Sequence, residues 1–350
     1  MKANTKTLVI RFSSVGDIVL STPLLRVLRK RFPEGQIDYV TRSEYAELVR
    51  SNHNINVTYA YDVSTGFQGL RQLKKKIRNE KYDLIADIHD SLRSKYLRSL
   101  RGSAEAVVIN KRKFERYMLV RRKKNIYKEI VSVADRYIEP LMKFGVENDG
   151  KGLEIHIPDE VLFSVSGKMA KLNLNRFEKV IGLCPSSRHF TKRWPADRFA
   201  QVGIRLAKEH SAKILIIGGP EDKELCSDVE NQIGHSQGAE KATSLAGQFS
   251  LLESAAAMQF CDVIVTNDSG LMHLAAAMQK KIVALFGSTV REFGFFPVAA
   301  HSVVVEREGL PCRPCSHIGR SSCPESHFRC MKEISTGEVF EQTKKLMLAN

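Results

Sequence analysis

The 350-residue chain has no apolar run long enough to cross a bilayer. Its start, MKANTKTLVIRF, carries neither the long apolar core nor the small-residue cleavage site of a secretory signal. A cytoplasmic protein is expected, though one able to visit a membrane surface. Signatures of phosphate handling are also missing. No G-x-x-x-x-G-K-[ST] occurs, no G-x-G-x-x-G follows the first strand, and no D-x-D occurs anywhere. These absences argue against a P-loop kinase, a standard dinucleotide enzyme and a diphosphate held through a D-x-D-bound metal. Acid is scarce as well: 39 Asp and Glu against 54 Lys and Arg leave a net charge of +15. Such an excess favours anionic partners.

What is present is ordinary globular composition, 43% apolar and 27% charged, at a length suited to two domains. The basic residues cluster in RQLKKKIRNEK (71–81) and KRKFERYMLVRRKK (111–124). Each run by itself reads as a solvated helical face. Two of them in one half of the chain point to an anionic acceptor there. Strand and helix signals alternate: TLVIRF, a helix over 16–32, QIDYVT, helical SEYAELVRS, VTYAYD, a basic helix over about 66–80, YDLIADIH, helical SLRSKYLRSL, EAVVIN, and helix to about Phe144. This is the pattern of parallel βαβ units in a doubly wound α/β sheet. Residues 148–179 interrupt it with Gly, Asp and Pro. It restarts at KVIGLCP and ends in the amphipathic STGEVFEQTKKLML, which could pack back on the first half. The expected domains are 1–165 and 166–350, with ligands in a cleft between them, beyond the carboxyl ends of the strands.

Strand-to-helix joints therefore hold the candidate site residues. In the first half, Asp17 follows Gly16 at the end of the opening strand, either as a helix-start acid favoured by the dipole or as a base aimed at substrate. Asp87, His89, Asp90 and Arg93 form a polar group after another strand, where an acceptor would enter. In the second half, VIVTNDSGLMHLAAAM places Asp268, Ser269 and Gly270 at the start of a small-residue helix, with His273 one turn in. Free N–H groups there suit an anion, although Asp268 or Ser269 could simply cap the helix. CPSSRHFTKRWPADRF supplies Ser186, Ser187 and Lys192 for a diphosphate, with Trp194 and Pro195 fixing the loop. In LIIGGPEDKEL, Glu221 follows a forced turn and could accept both hydroxyls of a ribose, or merely answer the helix dipole.

Of the seven cysteines, Cys184, Cys226 and Cys261 read as small core residues. Cys312, Cys315, Cys323 and Cys330 crowd together with spacing C-x2-C-x7-C-x6-C. They suggest a structural zinc, with His317 and His327 as substitute ligands, or else reduced packing thiols.

Taken together, IRFSSVGDIVLSTPLLRVLRKRFP, YDLIADIHDSLRS, KRWPADRFA, TNDSGLMHLAAAM and the PCRPC…CPESHFRCMKEIS tail resemble glycosyltransferase family 9, the ADP-heptose:lipopolysaccharide heptosyltransferases. The TNDSGLMH and KRWP forms are nearest its heptosyltransferase II branch. The resemblance covers nearly the whole chain. It implies a GT-B fold of two facing Rossmann-like domains, the first for the acceptor and the second for the nucleotide sugar, and inverting transfer without a catalytic metal. It also implies roles: Asp17 as catalytic base, Lys192 on the diphosphate, Asp268, Ser269, Gly270 and His273 around the phosphates, and Glu221 on the ribose. The implied partners are ADP-heptose, a lipid A-linked core oligosaccharide and an anionic membrane surface, with no nucleic acid. The alternatives are a related enzyme using another nucleotide sugar, or a zinc-containing nucleic-acid-binding protein. The repeated strand-loop-helix anion sites argue against the latter.

Overall fold

The computed structural model describes residues 1–99, 104–298 and 301–349. Leu100, the end of the expected SLRSKYLRSL helix, and Asn350, the end of the expected second domain, lie outside the described residues. The chain divides into two units: Met1–Arg112 with Val131–His156, and Lys113–Ile130 with Ile157–Asn350.

The first unit is built on β1 (Thr7–Ile10), β2 (Ile37–Arg42), β3 (Val57–Tyr61), β4 (Leu84–Asp87) and β5 (Glu105–Val108), in the order β3-β2-β1-β4-β5. All neighbours are parallel, and Ile10 lies level with Val40 on one side and Asp87 on the other. Both central strands are buried throughout, as their unbroken apolar runs require when helices cover both faces. The strand order reverses between β1 and β4, so the loops after these two strands diverge and leave a crevice.

The second unit repeats the plan with β6 (Lys179–Cys184), β7 (Ala212–Ile216), β8 (Ala242–Ser244), β9 (Val263–Asn267), β10 (Lys281–Phe286) and β11 (Ser302–Glu306). The order is β11-β10-β9-β6-β7-β8, again all parallel. Here the reversal falls between β6 and β9. Both windings are the nucleotide-binding α/β kind expected from the alternation. Strand β11 is an addition to the expected pattern. It lies at the sheet edge and is mostly half-buried, so its segment lacks the strong apolar signal of its neighbours.

Several helices depart from expectation for local reasons. The helix expected over 16–32 is two, Val15–Leu20 and Thr22–Arg31, joined at Ser21; Pro23 near the start of the second has no N–H to continue the first. The helix expected to run to Phe144 is broken after Lys113–Arg122, where Lys123 turns to a positive φ of 55° amid successive cations. Lys123 Nζ donates to the carbonyls of Cys312 (2.9 Å) and Pro314 (2.7 Å), which ties this piece to the second unit. From Lys113 onward the second basic run thus belongs to the second unit, not to the first domain to which the sequence assigned it. The terminal helix Thr336–Leu348 packs on its own unit: Val339, Phe340, Leu346 and Met347 join a core with Val202, Leu206, Val283 and Leu285.

Candidate active site

In the first unit, the crevice between β1 and β4 holds Asp17. Its carboxylate is gripped on both oxygens. Oδ1 lies 2.6 Å from Arg11 Nη2 and accepts the Tyr137 hydroxyl at 3.1 Å. Oδ2 accepts the Ser14 backbone N–H and hydroxyl, each at 3.1 Å. The Ser14 bonds are a capping-box interaction, so the helix-start role of Asp17 is real. The rest of the cage has nothing to do with capping. Arg11 also donates to the carbonyls of Ser13 (2.8 Å) and Ile88 (2.7 Å), which anchors it across the ends of β1 and β4. Burial alone would push the Asp17 carboxyl up, but the Arg11 charge and the Ser14 hydrogen bonds outweigh it and hold the group below its ordinary value. The carboxylate is therefore ionised, and its side chain keeps 18% of its exposure.

His89 stands in the same crevice. Its Nδ1 accepts the Phe12 N–H at 3.1 Å, which leaves the ring proton on Nε2. Burial, then the charges of Arg11 and Lys111, push its pKa down to about 3, so it is a neutral donor. Asp87 differs from the expected acceptor-facing acid. It is fully buried, and its Oδ1 accepts the N–H groups of His89 (3.1 Å) and Asp90 (2.8 Å), which shapes the loop.

In the second unit, the loops after β6 and β9 meet. Lys192 Nζ lies 2.7 Å from Asp268 Oδ2, which also accepts the Thr289 hydroxyl at 2.7 Å. Ser187 Oγ donates to the Asp268 carbonyl at 3.1 Å, and Ser186 and Ser187 are both buried. Trp194 fixes the loop as expected: its N–H donates to Asn267 Oδ1 (2.9 Å) and its indole N–H to the Ile334 carbonyl (3.1 Å). Arg193 Nε donates to the Ser187 carbonyl at 2.5 Å, which braces the same loop.

The helix Gly270–Ala277 starts at this junction. Ser269 occupies the cap position without a side-chain cap bond, and its Oγ is buried with no hydrogen-bond partner. The Asp268 carboxylate is committed to Lys192 and Thr289. The simple capping alternative is thus not what the side chains do, and the first N–H groups of the helix have no side-chain cap. His273 lies one turn in, buried, with its ring 6.5 Å from that of Phe295. At the end of β7, Asp222 takes the capping role by accepting the Gly219 N–H at 2.9 Å. This leaves Glu221 exposed beside it.

The four clustered cysteines come together in the fold. Cys312, Cys315, Cys323 and Cys330 line one small pocket with His327, and Cys312 Sγ lies 3.8 Å from His327 Nε2. Among the described residues, however, no three His, Cys, Asp or Glu side chains form a group able to hold a metal ion. Cys330 belongs to the unit's core and Cys312 and Cys323 lie against it; burial pushes the Cys330 thiol up to about 12.

Sequence reasoning missed Arg11, Tyr137 and Thr289. Arg11 had one visible signal, a cation at the end of an otherwise buried strand. Tyr137 and Thr289 reach the site only through tertiary packing.

Among the described residues no helix is long and apolar enough to cross a membrane. Lipooligosaccharide heptosyltransferase 2 of Campylobacter jejuni is 29% identical over 95% of each chain. Lipopolysaccharide heptosyltransferase 2 of Escherichia coli is 26% identical over 98% of this chain and 99% of its own. The crystal structure of a family 9 glycosyl transferase from Veillonella parvula superposes with a TM-score of 0.81 at 26% identity, covering 99% of both chains. These likenesses fit the GT-B architecture expected from the motifs. The model of glycosyltransferase family 9 (heptosyltransferase) matches residues 70–324, and the chain belongs to that family.

Proposed function

We propose that this glycosyltransferase moves a heptosyl group from ADP-heptose to the inner core of lipopolysaccharide, with inversion at the anomeric carbon. The observation that carries the donor half is the uncapped start of Gly270–Ala277 beside the Lys192–Asp268 pair. A diphosphate placed there meets backbone N–H groups, the Ser269 hydroxyl and a cation. Glu221 would take the ribose hydroxyls. Asp17 would accept the proton of an acceptor hydroxyl. That oxygen attacks the anomeric carbon, the bond from the sugar to ADP breaks, and the charge gathering on the diphosphate is met by Lys192 and the helix N–H groups. The acceptor is a lipid A-linked core oligosaccharide, and the enzyme works in the cytoplasm as a peripheral visitor to the membrane that holds it.

Incubation with ADP-heptose and truncated lipopolysaccharide acceptors, followed by mass measurement of the products, tests this directly. A product heavier by one heptosyl residue is expected; an unchanged acceptor overturns the assignment. A second reading, another nucleotide sugar on the same fold, is separated by comparing ADP with UDP and GDP in thermal-shift assays, because only the preferred nucleotide raises Tm strongly.

A further inference from the structure

In the first unit, the helices Gly66–Glu80 and Leu92–Arg98 follow β3 and β4. Their inner faces, Leu70, Leu73, Ile77 and Leu97, are buried in one core with Leu8, Ile10 and Ile85. Their outer faces form a groove lined by Arg71, Lys74, Lys75, Arg78, Tyr96 and two glutamines, with no acid among the lining residues. Arg71, Lys75 and Arg78 recur at helical spacing, so they share one stripe. Lys74 Nζ sits 3.7 Å over the Tyr96 ring and 2.9 Å from Ser99 Oγ, which holds the groove's floor.

At one end of this basic face two apolar side chains stand in water. Phe67 is 66% exposed and Leu92 is 86% exposed. Each belongs to the first turn of its helix. Both helices leave the carboxyl ends of parallel strands, so both side chains lie at the sheet edge that also carries Asp17. The Phe67 ring leans on Tyr96, with centroids 5.1 Å apart, which joins the apolar tip to the basic groove. An apolar tip, a stripe of cations and no lining acid match the chemistry of an anionic lipid bilayer: acyl and headgroup boundary for the tip, lipid phosphates for the stripe.

We propose that this face of the first unit seats on an anionic membrane surface, with Phe67 and Leu92 entering the headgroup layer and Arg71, Lys75 and Arg78 meeting lipid phosphates. The helix Gly66–Glu80 lies along the bilayer, and the edge bearing Asp17 is turned toward a substrate embedded in it. This extends the reading of the acceptor as lipid-linked, but vesicle binding is measured without turnover, so either can fail alone.

The test is co-sedimentation of the full chain with phosphatidylcholine vesicles, with and without phosphatidylglycerol. Binding is expected only to the anionic vesicles and should fall as salt rises. The double variant Lys75→Glu/Arg78→Glu should lower partitioning by at least about tenfold. Phe67→Ser/Leu92→Ser should weaken the binding that persists at high salt. All four positions are exposed residues of the first unit that touch none of the donor-loop residues, so ADP affinity and the far-ultraviolet circular dichroism spectrum should stay unchanged, which shows that the variants fold. Wild-type protein that ignores anionic vesicles, or variants that bind them as well as wild type, would overturn the proposal. So would calorimetry showing that inorganic phosphate alone fills the groove and abolishes vesicle binding, or an RNA gel shift that these variants lose while vesicle binding is untouched.

Discussion

Lys192 and Asp268 form an ion pair at 2.7 Å in which Asp268 is the more deeply buried partner, 4% exposed against 13% for the lysine side chain. With Thr289 on the same carboxylate oxygen, Asp268 acts as the support of the lysine. A diphosphate would then meet Lys192 directly and Asp268 only through it. Lys192→Ala should weaken ADP binding by about 10–100-fold, the loss of one charge-assisted contact. Asp268→Asn should weaken it as well, by releasing Lys192 from its position. Calorimetry with ADP reads both; unchanged affinity in Lys192→Ala removes the lysine from the donor site.

Asp17 and its cage make a different prediction. Asp17→Ala should lower turnover by about 10²–10⁴-fold while ADP affinity stays the same, since a general base acts only on the acceptor side. The pH dependence follows from the direction of the shift. The native carboxyl lies below its ordinary value, so its proton is lost before neutrality and the stability it contributes is present above the unfolded value, about 3.9. That contribution disappears as pH falls through the lower native value. Arg11→Gln removes the main opposing charge and leaves burial in control. The acid limb of kcat/KM should then move upward, and Arg11→Lys should restore part of the shift. Tyr137→Phe removes one hydrogen bond to Oδ1 and should change kcat more than KM. A pH profile identical in Arg11→Gln and wild type would refute the positioning role.

Much of this was legible in the sequence because it is local. A strand, a glycine and an acid in succession place Asp17; a strand, small residues and a helix place Ser269 and Gly270. Both joints fall at the reversals of strand order, β1 to β4 and β6 to β9, where the topology puts a crevice. Partnership was not legible. Asp268 reads as a phosphate contact until Lys192 and Thr289 are seen on one of its oxygens. Tyr137 arrives from a helix far along the chain. The cysteine spacing does not show that Cys330 joins the hydrophobic core of its unit. The basic helix Lys113–Arg122 reads as part of the first half until Lys123 is seen bonding to the Cys312 carbonyl.

The cysteines give a test by removal. If their role is packing, a zinc chelator should leave Tm unchanged and metal analysis should find no stoichiometric zinc. Cys330→Ser buries a hydroxyl in an apolar core and should cost about 1–3 kcal/mol, seen in urea denaturation. One bound zinc per chain, lost with a fall in Tm on chelation, would restore the metal reading.

Gly287 provides the last test because it touches the donor loop without chemistry of its own. It directly follows β10, and a Cβ there would sit 2.9 Å from the Thr191 carbonyl oxygen and 2.8 Å from Met331 Cγ. The methionine can move aside, but the Thr191 backbone can yield only by shifting the loop that carries Lys192. Gly287→Ala should therefore cost about 1–3 kcal/mol in stability. It should also lower ADP affinity through displacement of Lys192, by up to about tenfold if half of that strain is felt at the site. The Asp17 cage should be untouched, so the acid limb of the pH profile stays where it is in the wild-type enzyme. Thermal melts, ADP calorimetry and the pH profile separate these effects. A variant that loses stability but binds ADP as tightly as wild type would show that Lys192 is held independently of the backbone beside it.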